Sequence, residues 1–211
     1  MPLIVSDLGR LYGILDLSYV DTLDVAHVVE EMIDGGVGLI QLRAKDCAIA
    51  RIETLAAQLH AITSARGVPL IINDHVEVAR SMGAEGVHVG QDDLSVAEVR
   101  KVVGRDSMVG KSTHSLEQAK RAVEEGADYI GFGPIFATPT KPNYQPIGLA
   151  EIGQVHDAVG IPIFCIGGIK LENLSEVIAA GARRVVIVSG LLQGADIASY
   201  ARDAKKILTN I

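Results

Sequence analysis

The stretch Gly181-Ala182-Arg183-Arg184-Val185-Val186-Ile187-Val188 places a glycine shortly before a run of apolar residues, and this order recurs along the chain. Related segments begin at Gly35, Gly83 and Gly126. A glycine in the left-handed conformation ends many helices, and a continuous apolar run is typical of a parallel strand covered on both faces. Each segment therefore predicts the end of a helix followed by a buried parallel strand.

Further strands are predicted at Leu11–Leu15, Leu70–Asn73, Met108–Lys111 and Ile163–Ile166. The stretches between strands carry apolar residues at steps of three and four, which is the pattern of amphipathic helices. Three such faces consist of Val25, Val28, Val29, Met32 and Ile33; of Ile49, Ile52, Leu55, Ala56, Leu59 and Ile62; and of Ile197, Tyr200, Ala201, Ala204 and Leu208.

The count of strand–helix units is roughly eight, the number that closes a (β/α)8 TIM barrel. A doubly wound open sheet is the alternative, but Leu15-Asp16-Leu17-Ser18 follows the first strand where that fold has a glycine-rich turn. No Ser- or Pro-rich linker divides the chain. We therefore expect one α/β barrel domain over residues 1–211.

Composition and charge argue against several partners. Aromatic residues make up 4% of the chain and its net charge is −7, so neither stacking platforms nor an overall field for nucleic acid or anionic membrane is expected. The longest uncharged runs stop at 12 residues, short of a membrane span. No signal peptide is recognised at Met1–Asp7, and Cys47 and Cys165 lack metal-ligand spacing. A cytoplasmic protein with reduced thiols is expected, and no obligatory protein partner is inferred.

Polar residues are concentrated where the predicted strands end, which is where a barrel of this kind carries its active site. In chain order these segments are Gln41-Leu42-Arg43-Ala44-Lys45, Asn73-Asp74, Gly90-Gln91-Asp92-Asp93, Gly110-Lys111-Ser112-Thr113-His114, Gly131-Phe132-Gly133-Pro134-Ile135-Phe136-Ala137-Thr138-Pro139-Thr140-Lys141, Gly167-Gly168-Ile169 and Ser189-Gly190. Side-chain alternation predicts that Gln41, Arg43 and Lys45 point to one side. Hydroxyls and an ammonium group that follow glycines, as at residues 131–141, suit an anion.

Each of these segments also has a purely structural interpretation. Arg43 and Lys45 are consistent with a solvated pair at the start of a helix, and Asp74 and Asp93 with helix caps. Ser112 and Thr113 are consistent with caps as well. His88 and His114 are interpreted as core or cap residues without a role in proton transfer. The occurrence of complementary charges at strand ends of one barrel favours the functional interpretation.

The charges suggest two phosphorylated substrates. Asp74 and Asp93 would anchor Mg2+, which takes one or two protein carboxylates and completes its shell with water and phosphate oxygens. Arg43, Lys45 and Lys141 would surround a diphosphate. A monophosphate site is expected after strands seven and eight, on backbone amides and a helix N-terminus. Joining the two substrates with loss of diphosphate is the predicted reaction class.

The same segments resemble the thiamine phosphate synthase family along nearly the whole chain. They are Gln41–Lys45, Ile72–Asp74, His88–Leu94, Ser112–His114, Gly133–Lys141, Ile166–Ile169 and Val188-Ser189. The resemblance implies a (β/α)8 fold and an enzyme that transfers a pyrimidinylmethyl group to a thiazole phosphate, plain or carboxylated, with release of diphosphate. The sequence departs from the family's pattern at Lys111 and Cys165, where apolar or small residues are expected, and the loop at residues 142–146 is not assigned.

The resemblance also implies roles for individual residues. The pyrimidine diphosphate would be held by Gln41, Leu42, Arg43, Ala44, Lys45, Asn73, Ser112 and Lys141, and the thiazole phosphate by Thr138, Pro139, Thr140, Gly168, Val188 and Ser189. Asp74 and Asp93 would bind Mg2+. Arg43, Lys45, Ser112 and Lys141 are the expected catalytic residues, in a mechanism in which diphosphate leaves first and the thiazole nitrogen attacks a pyrimidine cation.

Two alternatives stay open at this point. A thiazole tautomerase of the same barrel family would keep the monophosphate site but would want a histidine base, and Pro134 stands where we would look for it. A non-catalytic barrel that senses a phosphorylated ligand would need no magnesium-binding carboxylates. The segment Ala137–Gly148 is a candidate lid over either ligand site.

Overall fold

The computed structural model describes residues 8–139 and 144–209, and their eight parallel strands close into a barrel in the order of the chain. The strands are β1 (Leu11–Asp16), β2 (Leu39–Arg43), β3 (Leu70–Asn73), β4 (Gly86–Val89), β5 (Met108–Thr113), β6 (Tyr129–Phe132), β7 (Ile163–Cys165) and β8 (Val185–Ile187). The predicted (β/α)8 barrel is confirmed. The open-sheet alternative is wrong, because β1 pairs with β8 as well as with β2.

Helices alternate with the strands and cover the outside of the barrel. They are α1 (Val25–Asp34), α2 (Ile49–Ala65), α3 (Val76–Met82), α4 (Val96–Val103), α5 (Leu116–Glu124), α6 (Ile152–Ala158), α7 (Leu171–Ala179), α8 (Ser189–Leu192) and α9 (Ile197–Thr209). The short α8 is an addition to the eight predicted units. Among the residues described, none of these helices is both long and apolar enough to span a membrane.

The recurring glycines end helices in the left-handed conformation, with one change from the prediction. Gly83, Gly126 and Gly181 have φ values of 66°, 89° and 109°. In the first segment Gly36 takes this role with φ 91°, whereas Gly35 is helical with φ −76°. A larger residue at Gly35 is prevented by steric contact rather than by backbone conformation, because a Cβ there would clash with Ala201 of α9.

Strands β1 and β5 extend beyond their predicted ends and thereby deliver polar side chains to the site. Strand β5 continues past Lys111 because Ser112 and Thr113 pair with Gly131 and Phe132 of β6. Strand β1 continues to Asp16, which pairs with Arg43 of β2. By contrast, β7 ends at Cys165, one residue before its predicted end.

The core has two layers, because successive side chains of a strand point to opposite faces. One cluster fills the barrel interior and consists of Leu8, Tyr12, Ile14, Leu39, Ile71, Met108, Tyr129, Phe164 and Val186. The larger cluster lies between the strands and the helices. Inside the barrel, the rings of Tyr12, Tyr129 and Phe164 meet edge to face at centroid distances of 5.2–6.0 Å. This packing fills the barrel interior below the carboxyl ends of the strands, where barrels of this kind carry their active sites.

Candidate active site

A cleft opens at the carboxyl ends of the strands and brings together most of the predicted site residues that the structure describes. Gln41, Arg43, Asn73, Ser112, Thr138, Gly168, Val188 and Ser189 line it. Its wall also contains residues that were not individually assigned to a ligand, namely Tyr12, Ile14, His88, Thr113, His114, Gly131, Gly133, Pro134, Ile166, Gly167, Ile169 and Val186. Pro139 is exposed near Thr138, and Thr140 and Lys141 lie outside the described residues.

The residues of β2 follow the predicted alternation. Gln41 and Arg43 point into the cleft, whereas Leu42 and Ala44 are 1% and 2% exposed in the cluster between sheet and helices. Leu42 and Ala44 can therefore contact a ligand only through their backbone. Lys45, just past the strand, has a half-exposed side chain whose Nζ lies 3.8 Å from Asp74 Oδ2.

Arg43 is held by a carboxylate that the sequence interpretation did not assign. Its Nη1 lies 2.5 Å from Oδ2 of Asp16, a residue that is 2% exposed. Oδ1 of Asp16 accepts hydrogen bonds from the backbone N–H and the hydroxyl of Ser18, at 3.0 and 2.9 Å. The interpretation of Arg43 as a solvated surface residue is thus wrong, since the guanidinium is fixed at the edge of the cleft.

Asp74 and Asp93 face each other across the ends of β3 and β4. Their carboxyl groups are within hydrogen-bonding range, and burial together with the charge of Asp93 raises the pKa of Asp74. Asp74 has a left-handed backbone with φ 63°, and its N–H donates to the carbonyl of His88 at 2.9 Å. Asp93 Oδ2 accepts from the Gly90 N–H at 2.6 Å. The loops thus bring two carboxylates together at an electrostatic cost.

The alternative in which these polar residues are helix caps is wrong. Helix α4 is capped by Ser95, in a capping box with Glu98, and α5 is capped by Ser115. The N-cap residue of α3 is His75, which makes no side-chain capping bond. Asp74, Asp93, Ser112 and Thr113 therefore owe their positions to the strand ends.

The carboxylate pair fits a divalent cation of the magnesium type. Two like charges held in contact are relieved by a cation, and Mg2+ needs only one or two protein carboxylates. Within the two described ranges no group of three or more His, Cys, Asp or Glu side chains could hold a metal ion. The donor atoms of Asp74 and Asp93 are carboxylate oxygens, which suit a metal that keeps several positions for water and phosphate.

The floor of the cleft contains a chain of buried polar groups that the sequence interpretation missed. Gln41 Nε2 lies 2.6 Å from the Tyr12 hydroxyl, which lies 3.1 Å from the Tyr129 hydroxyl. His88 Nδ1 lies 3.2 Å from the same Tyr129 oxygen, and His88 Nε2 lies 3.0 Å from Ser112 Oγ. The alternation of β1, β2, β4, β5 and β6 is the signal that places these side chains inside one barrel.

The opposite wall is formed by backbone that comes close to the cleft. Gly168 has φ 64°, and a Cβ there would lie 2.7 Å from the Ala137 carbonyl oxygen and 2.7 Å from Phe136 Cβ. The helix α8 begins at Ser189 beside it. His114 Nδ1 contacts the carbonyl oxygen of Gly133, and its ring packs against Tyr144 at 4.9 Å.

The two residues that depart from the family pattern lie outside the cleft. Lys111 is 6% exposed, and its Nζ donates to the Gly90 carbonyl at 2.8 Å, so it supports the loop that carries Asp93. Cys165 is fully buried, and burial raises the pKa of its thiol to about 12. Both Cys47 and Cys165 are free thiols.

Residues 11–191 match the family model described as thiamine monophosphate synthase. The chain belongs to this family. It is 44% identical over 189 residues to a thiamine-phosphate synthase of Shouchella clausii, which covers 89% of this chain and 90% of the relative. The thiamine-phosphate synthase of Thermus thermophilus is 41% identical over 209 residues, with 97% and 99% of the two chains covered. The prediction of an enzyme of the transferase class is confirmed by these relatives.

Solved structures agree with this assignment. A thiamine phosphate pyrophosphorylase from Pyrococcus furiosus superimposes with a TM-score of 0.89 at 27% identity, covering 99% of this chain and 98% of that one. A 3-hexulose-6-phosphate synthase has a TM-score of 0.70 at 17% identity, covering 94% and 99% of the two chains, and it shows the fold alone.

Proposed function

We propose that the chain is a magnesium-dependent thiamine phosphate synthase. It couples 4-amino-2-methyl-5-(diphosphooxymethyl)pyrimidine with a thiazole phosphate and releases diphosphate. The observation that carries the proposal is that a carboxylate pair, a fixed arginine and a glycine-lined backbone wall all lie at the carboxyl-terminal end of one barrel. Asp74 and Asp93 form the carboxylate pair, Arg43 is the fixed arginine, and Gly168 belongs to the glycine-lined wall.

The pyrimidine diphosphate is assigned to the side of the cleft formed by β2 to β5. Arg43, Lys45 and, from the sequence segment Gly133–Lys141, Lys141 supply positive charge for the leaving group. Asn73 and Ser112 contribute neutral donors from the inner wall, where both line the cleft. Gln41 is positioned to bind the pyrimidine, since its amide lies deeper in the barrel, at hydrogen-bonding distance from Tyr12.

Asp74 and Asp93 are the residues that would hold Mg2+. The bound cation would supply positive charge at the diphosphate oxygens, where negative charge accumulates as the carbon–oxygen bond breaks. The pKa of Asp74 is raised first by burial and then by the charge of Asp93, and the second cause supports this assignment because a cation would relieve that repulsion. Lys45 lies near Asp74, so its ammonium group and a cation held by Asp74 would reach the same diphosphate.

The thiazole phosphate is assigned to the opposite wall. Gly168, Val188 and Ser189 line the cleft there together with Thr138, and Pro139 and Thr140 follow Thr138 in the sequence. Because Gly168 lacks a side chain and lines the cleft, its backbone is accessible to a ligand. The serine hydroxyl and backbone N–H groups are donors of the kind that bind a monophosphate.

The chemistry that this arrangement supports is dissociative. The protein stabilises the departing diphosphate with Arg43, Lys45 and Lys141, and it orients the pyrimidine so that its ring amino group can delocalise the positive charge left on the methylene carbon. The thiazole nitrogen carries no proton and attacks that carbon directly, so no general base is needed for bond formation. Preorganised charge is therefore the main contribution of these side chains.

The decisive experiment mixes the purified protein with both phosphorylated precursors and Mg2+ and measures thiamine phosphate and released diphosphate. We expect both products in equal amounts, and loss of turnover when EDTA removes the metal. A thiazole tautomerase would change the thiazole phosphate without consuming the pyrimidine diphosphate, and a ligand sensor would form no product. Either result would overturn the proposal.

The metal site is tested separately from activity. We expect Mg2+ to raise the melting temperature of the wild-type protein, and to raise it further when diphosphate is present. Asp93→Asn should abolish the effect of Mg2+ while the protein stays folded. Asp203→Asn, an exposed aspartate on α9, is the matched control and should respond to Mg2+ as the wild type does.

A further inference from the structure

Five polar side chains from five strands form one continuous chain of hydrogen bonds under the cleft. Its order is Gln41, Tyr12, Tyr129, His88 and Ser112, with successive heavy-atom distances of 2.6, 3.1, 3.2 and 3.0 Å. Tyr12 and Tyr129 are 1% and 0% exposed, and His88 is 8% exposed. In the reaction proposed above only the two ends of the chain, Gln41 and Ser112, contact a substrate.

The first link has a defined direction. The amide nitrogen of Gln41 donates and cannot accept, so the Tyr12 oxygen is the acceptor at 2.6 Å. Burial raises the pKa of both Tyr12 and Tyr129 well above the usual value for tyrosine, so both hydroxyls keep their protons. Among the described residues, the Tyr129 hydroxyl is the one acceptor within reach of the Tyr12 proton.

The remaining links then follow in order. Because Tyr129 accepts from Tyr12, its own proton is directed to His88 Nδ1, 3.2 Å away. A neutral imidazole whose Nδ1 accepts carries its proton on Nε2. Nε2–H in turn donates to Ser112 Oγ at 3.0 Å. If the hydrogen bonds ran in the opposite direction, from His88 to Tyr129 and from Tyr129 to Tyr12, the hydroxyl proton of Tyr12 would have no acceptor in a fully buried site, which is unfavourable.

We propose that Gln41, acting through Tyr12 and Tyr129, fixes His88 as the Nε2–H tautomer and thereby turns the Ser112 hydroxyl proton towards the ligand. Ser112 Oγ is occupied as an acceptor by His88, so its proton is available to an acceptor atom of the bound pyrimidine diphosphate. Tyr12, Tyr129 and His88 are thus positioning residues. The last step rests on the proposed function; the tautomer of His88 does not.

The packing around Gly110 supports a chain held at fixed distances. A Cβ built at Gly110 would lie 2.5 Å from both His88 Nδ1 and the Tyr129 hydroxyl oxygen. The absence of a side chain at this inward position of β5 therefore creates the space in which the imidazole and the phenol meet. The rings of His88 and Tyr129 pack at a centroid distance of 5.5 Å, which fixes their relative orientation.

The tautomer is measured directly in the ligand-free protein by long-range 1H–15N correlation NMR with 15N-labelled histidine. Of the 6 histidines, His88 is assigned from the signal lost in His88→Gln. We expect a pyridine-type Nδ1 and a pyrrole-type Nε2. A pyrrole-type Nδ1 would reverse the direction of the whole chain and overturn the inference, whether or not the protein makes thiamine phosphate.

The effect on Ser112 is tested by a double-mutant cycle. Tyr129→Phe keeps the ring but removes the hydroxyl that donates to His88. We expect kcat to fall by about tenfold. This is less than the roughly 100-fold loss that follows removal of a whole preorganised donor, because Ser112 itself remains. In a Ser112→Ala background the same change should have no further effect, because the hydroxyl that it orients is gone. An equal fall in both backgrounds would show a merely structural role and would overturn the inference.

A matched control separates the loss of a tyrosine hydroxyl from the loss of this chain. Tyr200 is half-buried on α9, and its hydroxyl accepts from the Leu171 N–H at 2.9 Å. We expect Tyr200→Phe to leave kcat and the His88 15N shifts unchanged, whereas Tyr129→Phe should move the His88 shifts towards a mixture of tautomers. Unchanged His88 shifts in Tyr129→Phe would contradict the proposed link. Absence of coupling activity with the expected tautomer would refute only the proposed function.

Discussion

Asp16 at the end of β1 forms an ion pair with Arg43 at the end of β2, with 2.5 Å between Oδ2 and Nη1. Both residues point into the barrel mouth at paired positions of the two strands. The second oxygen of Asp16 accepts two hydrogen bonds from Ser18, which hold the carboxylate in place beside the arginine. The pair uses one of the five N–H donors of the guanidinium, which leaves the group oriented and able to bind an anion.

We expect Asp16→Asn to lower both stability and substrate affinity. Removing one partner of a buried ion pair leaves the other charge uncompensated, which typically costs about 3 kcal/mol or more. Arg43 would also lose its orientation, so KM for the pyrimidine diphosphate should rise. Urea unfolding and steady-state kinetics measure the two effects.

The control for this change is Asp34→Asn, which breaks an ion pair with Arg66 on the surface, where both side chains are about half exposed. Exposed pairs contribute roughly 0–1 kcal/mol, so this variant should keep nearly all of its stability and its KM. Equal losses in the two variants would show that Asp16 has no special role in holding Arg43.

The sequence predicted the parts of the site that depend on local rules. Gln41, Arg43, Asn73 and Ser112 were identified because strand ends and side-chain alternation can be recognised from neighbouring residues, and all four line the cleft. Asp16 was missed because its role depends on which strand lies beside β1. Tyr12, Tyr129 and His88 were missed for a related reason, since only closure of the barrel brings β1, β4 and β6 together.

The burial of some helix residues also depends on tertiary contacts, which the periodicity of apolar residues does not reveal. Ile49 falls on the apolar face predicted for α2 but is 52% exposed, and it is the first residue of that helix. The central residues of the same face, Ile52, Leu55, Ala56 and Leu59, are buried as predicted. A hydrophobic pattern therefore locates a helix more reliably than it locates its ends.

We expect Asp74→Asn to stabilise the magnesium-free protein at neutral pH. Burial and the charge of Asp93 raise the pKa of Asp74 in the folded state above the usual value for an aspartate. A carboxyl group with a raised folded-state pKa favours the fold while protonated, and this advantage is lost as the pH rises above the unfolded-state value. The wild-type protein should therefore lose stability relative to the variant between about pH 4 and pH 7, as measured by urea unfolding in EDTA.

Magnesium should reverse the order of stability of the wild-type protein and Asp74→Asn. The cation would relieve the repulsion in the wild type but would find only one carboxylate in Asp74→Asn, so at saturating Mg2+ and pH 7 the wild type should gain more stability than the variant. A wild-type protein that is more stable than Asp74→Asn in EDTA at pH 7 would contradict the repulsion between Asp74 and Asp93. Asp203→Asn should show neither effect.

Lys141→Ala should lower kcat by about 100-fold or more, since removal of one preorganised donor to a developing anion typically costs that much. The residue lies outside the described ranges, and its assignment rests on the segment Gly133–Lys141 of the sequence. Single-turnover kinetics with saturating substrates measures the effect on the chemical step. Lys120→Ala, an exposed lysine on α5, is the control, and equal turnover in the two variants would remove Lys141 from the mechanism.

Gly168→Ala should impair the thiazole phosphate site more than it impairs the fold. The residue has φ 64°, and a new Cβ would lie 2.7 Å from both the Ala137 carbonyl oxygen and Phe136 Cβ, so the loop that leads to Thr138 must shift. Gly83→Ala provides the comparison, because Gly83 has φ 66° but open space around its Cβ position. Both variants should lose roughly 1–2 kcal/mol from the left-handed backbone. Only Gly168→Ala should also raise KM for the thiazole phosphate, by about tenfold or more if the displaced loop removes 1.4 kcal/mol of binding. A KM that stays at the wild-type value in Gly168→Ala, with the stability loss present, would place the thiazole phosphate elsewhere in the cleft.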